Sequence, residues 1–133
     1  MLAAAPTVAG AAESALPDPQ RLQELLERRD FFTLGDLLTA LGCKVIDFPH
    51  KTECCGSYLT VSAAEATEEL SYAILRSAQR AGAQALVTSC PLCQFNLDYR
   101  QGAMRRHPGF VPMPVLYFTQ LLGLALGLDG EGY

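Results

Sequence analysis

Three short apolar runs alternate with stretches of helical periodicity along the chain. "CKVIDF" (43–48) is β-branched and bounded by Gly42 and Pro49, which predicts a strand. "AQALVTS" (83–89) is a continuous apolar run suited to burial on both faces of a sheet, and "MPVLYF" (113–118) reads as a third strand. Ahead of the first strand, "DPQRLQELLERRD" predicts a short helix with Asp18 as its cap and Leu22, Leu25 and Leu26 on one face. "FTLGDLLTALG" predicts another, closed by Gly42. Between the first two strands, Ser62 and Glu65 carry a capping-box signature. The helix they open would present Ala66, Leu70, Ile74 and Ala81 as its apolar stripe and end at Gly82. "CPLCQFNLDYRQ" follows the second strand, with Pro91 suited to a first helical turn, and "TQLLGLALGL" is the last helix.

Strands alternating with helices are the grammar of an α/β fold: a small parallel sheet with flanking helices, whose ligands gather at the carboxyl ends of the strands. The length of 133 residues fits one such domain. We expect it over residues 20–128, with a flexible arm rich in Ala and Pro at 1–19 and a tail at 129–133. The start "MLAAAPTVAGAAESALPDP" lacks the positive and strongly apolar regions of a secretion signal. No apolar stretch reaches the roughly 18 residues of a membrane span, so no transmembrane segment is expected. The expected compartment is cytoplasmic.

Charge narrows the partners. A net charge of −4 and a pI near 5.0 argue against an electrostatic nucleic-acid surface. The densest basic patch, "RQGAMRR", is explained by a solvated helix end.

The chemistry lies in the five cysteines, an odd number that rules out a fully paired disulfide framework within the chain. Cys54 and Cys55 follow the first strand and precede Gly56; Cys90 and Cys93 follow the second. The predicted topology delivers both pairs to one edge of the sheet. The two-residue gap in Cys90-Pro-Leu-Cys93 lets both sulfurs face one metal or each other, and a helix N-terminus favours the thiolate. Neighbouring Cys54 and Cys55 are poor partners for a mutual disulfide but can ligate adjacent metal atoms. Gly56 suits a backbone that folds closely around such a site. Cys43 begins its strand, and four or five extended residues span roughly 15 Å, which separates it from the others and reads as a buried structural thiol. His50, four positions before Cys54, is a candidate proton donor, though a solvated loop histidine is the simpler reading. Lys51 beside it reads as a surface lysine, and Asp98 and Tyr99 as ordinary helix-face residues.

"GCKVIDFPHKTECCG", "ALVTSCPLCQFNLDYRQ" and "MPVLYFTQLLGLALGL" resemble the second cysteine-rich CCG domain in the B subunit of heterodisulfide reductase. Related domains occur in subunits of some succinate and glycolate/lactate-type oxidoreductases. The resemblance implies a non-cubane 4Fe–4S cluster, held by five cysteines in a complete CCG domain, that reduces a disulfide substrate or passes electrons onward. By motif match Cys54, Cys55, Cys90 and Cys93 would be its ligands. Some CCG domains hold zinc instead, for which four thiolates suffice. The chain departs from the pattern in two ways. The family's first motif cysteine should fall near "SALPDPQRLQ", which contains none, and the first CCG repeat is absent.

Three readings follow. The first is an iron–sulfur redox subunit working with ferredoxin-like or flavin-containing partners. The second is a zinc-bound structural or assembly module without catalysis of its own. The third is a thiol–disulfide exchange protein using Cys90 and Cys93. A homo-oligomer is a further expectation, since an absent edge strand leaves the sheet open for pairing.

Overall fold

A computed structural model describes residues 2–6 and 33–125, with isolated positions 20, 24 and 27. The predicted helix face at Leu22, Leu25 and Leu26, the remainder of the expected arm and the tail lie outside the described residues. Gln20, Glu24 and Glu27 are helical and exposed.

The elements run β1 (Leu2–Pro6), α1 (Leu34–Ala40), β2 (Cys43–Ile46), a 3-10 turn (Ser57–Leu59) and α2 (Ala64–Arg80). They continue through β3 (Ala85–Thr88), α3 (Pro91–Tyr99), α4 (Gln101–Met104), β4 (Val115–Tyr117) and α5 (Phe118–Ala125). The fold is α/β, with the sheet in the order β2-β1-β3-β4. The three strands expected from the sequence are all present. β3 pairs parallel with β4, and β2 shares their direction because β2 and β3 both lie antiparallel to β1.

β1 itself is a correction. Its residues were expected in a flexible arm, yet they pair with β2 from Ala3↔Ile46 to Pro6↔Cys43 and with β3 from Leu2↔Val87 to Ala4↔Ala85. "LAAAP" offers no alternating or β-branched signal, so its strand state is set by the two ladders that hold it.

β3 is covered on both faces, as a continuous apolar run requires. Leu86 enters a core built with Ile74, Leu75 and Ala78 of α2 and Leu97 of α3. Val87 faces the other way, onto Leu38 of α1 with Cys43, Val45, Phe118 and Leu121 around it. The loop into β4 is pinned by Gln101, whose amide donates to the Met113 carbonyl and accepts from the Met113 N–H, each at 2.8 Å.

Two helical details differ from expectation. The capping box lies at α1, where Thr33 Oγ1 accepts from the Asp36 N–H at 3.2 Å and the Asp36 carboxylate accepts from the Thr33 N–H at 2.9 Å. α2 starts at Ala64 without a side-chain cap, so Ser62 and Glu65 do not form the expected box. The buried stripe of α2 is Thr67, Ser71, Ile74, Leu75 and Ala78, with Glu68 beside it. Of the four residues expected there only Ile74 is buried; Ala66 and Ala81 are exposed, and Leu70 is partly so. The packed face selected small polar residues, which a count of apolar positions passes over.

Candidate metal and redox site

The CCG turn is built around Gly56. Its φ of +76° is a left-handed conformation that side chains rarely adopt, and an added Cβ would stand 2.7 Å from Leu70 Cδ1. From this turn the Gly56 N–H donates to Cys54 Sγ at 3.4 Å. Thr67 on α2 donates its hydroxyl to the Gly56 carbonyl at 3.2 Å, which ties the turn to the helix behind it. This explains why a polar residue lies on the buried stripe. The turn thereby sends Cys55 into the core, fully buried, and leaves Cys54 exposed.

The second motif leaves the end of β3. Thr88, the last residue of that strand, accepts from the Cys90 N–H through Oγ1 at 3.1 Å and sets the entry into α3. Pro91 opens the helix, as its fixed φ and missing N–H allow. Cys93 then lies one turn in, on the buried face, while Cys90 stays half-buried. Cys55 Sγ and Cys93 Sγ meet at 3.2 Å. The two motifs are therefore joined through their inner cysteines, with Cys54 and Cys90 on the outer side. Cys43 is absent from this arrangement and packs against the Leu38–Val87 cluster, across the sheet.

Electrostatics separate the members of the CxxC pair. The Cys90 thiol is held below its ordinary value, chiefly by the backbone N–H of Cys93, against an opposing effect of burial. The Cys93 thiol is driven far up, first by burial and then by its sulfur neighbours Cys55 and Cys90. Burial also raises Cys43.

As a donor set the four cysteines suit a thiophilic metal centre. They are soft ligands, two of them buried, and N–H groups of Gly56 and Asn96 are directed at sulfur. Among the described residues no three His, Cys, Asp or Glu side chains are grouped as a metal ion requires. Cys90 also neighbours Cys93 through its side chain, and Cys54 is the exposed member of the four.

His50 lies elsewhere. It lines a cleft of about 640 Å³ with Glu69, Tyr72, Arg76 and Arg80, and no cysteine borders that space. Its Nε2 is 4.0 Å from the Glu53 carboxylate. Lys51 pairs with Asp47.

Sequence reasoning passed over Asn96, Thr60 and Arg100. Asn96 is fully buried, and its Nδ2 donates to Cys55 Sγ at 3.7 Å and to Thr60 Oγ1 at 3.1 Å. Arg100 donates from Nε to Asn96 Oδ1 at 3.1 Å. The available signal was spacing: Cys93, Asn96 and Arg100 follow one another at i+3 and i+4, on one face of a helix.

Comparison with known proteins bears on the same residues. The family model described as a cysteine-rich domain, CCG, matches residues 32–98, which include all four motif cysteines. The chain is 36% identical over 96 residues to the 8-methylmenaquinol:fumarate reductase membrane anchor subunit of Wolinella succinogenes, covering 71% of this chain and 34% of that protein. It is 34% identical over 116 residues to the B subunit of the ferredoxin/F(420)H(2)-dependent CoB-CoM heterodisulfide reductase of Methanosarcina acetivorans, covering 85% and 39%. The B subunit of the ferredoxin:CoB-CoM heterodisulfide reductase of Methanosarcina mazei is 37% identical over 99 residues, covering 72% and 33%. The chain thus spans little more than a third of the length of these relatives. Among the described residues no helix is long and apolar enough to cross a membrane.

Proposed function

This chain belongs to the CCG cysteine-rich domain family, and on that footing we propose that it is a redox subunit or domain of a larger reductase, with Cys54, Cys55, Cys90 and Cys93 holding an iron–sulfur cluster. The observation that supports this most is the 3.2 Å approach of Cys55 and Cys93, which unites two motifs 38 residues apart. When bound, such a cluster supplies electrons one at a time, for cleavage of a disulfide substrate or for onward transfer. The non-cubane 4Fe–4S form is the one the family resemblance favours. The protein's own share is physical. Burial of Cys55 and Cys93 shields the sulfurs from water, and the Gly56 N–H donates toward Cys54, as sulfur ligands of a cluster require. The names of the relatives support redox partners, one of them a ferredoxin, and a disulfide substrate.

A specific observation favours a second reading. The lowered Cys90 thiol at a helix start and the raised, buried Cys93 form the asymmetric pair that thiol–disulfide exchange uses. In that reaction the Cys90 thiolate attacks one sulfur of a substrate disulfide and expels the other as a thiolate. Cys93, giving up its proton, then attacks Cys90, releases the second substrate thiol and leaves a Cys90–Cys93 disulfide.

Iron, sulfide and zinc content of anaerobically purified protein, with EPR after mild oxidation, tests the proposal. The expected result is iron with matching sulfide and a signal lost in Cys54→Ser or Cys90→Ser. One zinc per chain without iron would make the site a structural staple. A metal-free protein that reduces model disulfides and loses this ability in Cys93→Ser would establish the exchange reading instead.

A further inference from the structure

We infer that Asn96, held in one orientation by Arg100, is a positioning residue that presents a fixed N–H to Cys55 and tunes its strength as a ligand. This rests on the metal-centre reading of the four cysteines.

Asn96 is fully buried, so each polar atom of its amide needs a partner. Oxygen and nitrogen of an amide occupy nearly the same shape, and its hydrogen-bond partners decide which faces which way. Arg100 Nε can only donate, so the atom 3.1 Å from it must be the carbonyl Oδ1. That leaves Nδ2 as the atom that meets Cys55 Sγ at 3.7 Å and Thr60 Oγ1 at 3.1 Å. The Thr60 hydroxyl returns a hydrogen bond to Oδ1 at 3.3 Å.

Arg100 is itself held. Its two terminal nitrogens donate to the Thr60 carbonyl at 3.3 Å and the Ala64 carbonyl at 3.4 Å. The guanidinium is thus fixed between the 3-10 turn behind the CCG motif and the start of α2. It polarises the Asn96 carbonyl and, through the amide, strengthens the N–H that faces sulfur. A thiolate ligand gains from such a donor, because the N–H offsets negative charge left on the sulfur. Asn96 also lies one helical turn past Cys93, so the same α3 face that brings Cys93 to Cys55 brings the amide.

Cobalt(II) binding to the reduced, metal-free full chain tests this. The readouts are the Kd and the cobalt–thiolate charge-transfer band, with thermal melting of the metal-free protein alongside. Asn96→Asp keeps the shape and puts a carboxylate oxygen against sulfur. The expected loss of affinity is about 10- to 100-fold with a shifted band, the usual consequence of removing an outer-shell partner. Arg100→Gln frees the amide to turn over and should give a smaller loss with a band shift in the same direction. It also serves if Asn96→Asp does not fold. An unchanged band and wild-type Kd in whichever variants fold overturns the inference, even if their metal-free melting temperature falls. A wild-type protein that binds no cobalt and carries neither iron nor zinc when purified anaerobically removes the metal-centre reading and this inference together, whereas wild-type-like variants remove only the inference.

Discussion

At the scale of single residues the thiols offer a direct check in the reduced, metal-free protein. Cys90 is lowered from the ordinary value of 9.0, so at a given pH below that value it carries more thiolate than an open thiol. Cys43 and Cys93 are raised and stay protonated at neutral pH. Iodoacetamide at neutral pH should therefore label Cys90 well before Cys43 or Cys93, as read by peptide mass spectrometry. Labelling of Cys93 ahead of Cys90 would contradict the assigned environments. The cysteines are legible in the sequence because their chemistry is written in local spacing: a CxxC at a helix start, a CC before glycine. The polar residues around them are not, since Thr60, Thr67 and Asn96 gain their roles only when separate segments meet. For Cys43 the raised value also fixes a sign for stability: its contribution is present below the ordinary thiol value and is lost as pH rises through its own raised value.

At the scale of elements, periodicity found α2 but placed its buried face one residue away. The stripe read from the sequence ran through Ala66 and Leu70; the helix packs through Thr67 and Ser71 because the CCG turn needs a hydroxyl at position 67. Functional geometry overrode hydrophobic pattern there. Caps behaved similarly: the signature at Ser62 and Glu65 is unused, while Thr33 and Asp36 form a reciprocal pair. Thr33→Ala should therefore cost about 1 kcal/mol of stability in urea denaturation, and Ser62→Ala less than about 0.5 kcal/mol. Equal effects at both positions would count against the assignment of the caps.

At the scale of the whole molecule, the α/β alternation and three of the strands could be read from the chain, but the way the sheet closes could not. β2 and β3 do not pair with each other; β1 lies between them. Nothing in "LAAAP" advertises this, since five small or apolar residues state neither a period nor a partner. Removing residues 1–6 should leave both neighbours with unpaired backbone on facing edges. The expected outcome is loss of a cooperative thermal transition and an insoluble product; a soluble variant with an unchanged melting curve would argue against a central β1. The same placement has a consequence in time. β1 is synthesised ahead of both its neighbours, yet its pairing with β3 joins Leu2 to Val87. Until β3 leaves the ribosome, β1 and β2 can form no more than a two-stranded ribbon, and the sheet's middle is completed only by the contact that closes the longest loop. β1 therefore waits for a partner more than eighty residues further along the chain, and a chaperone that shields this nascent segment would act on the part of the sheet most exposed to mispairing.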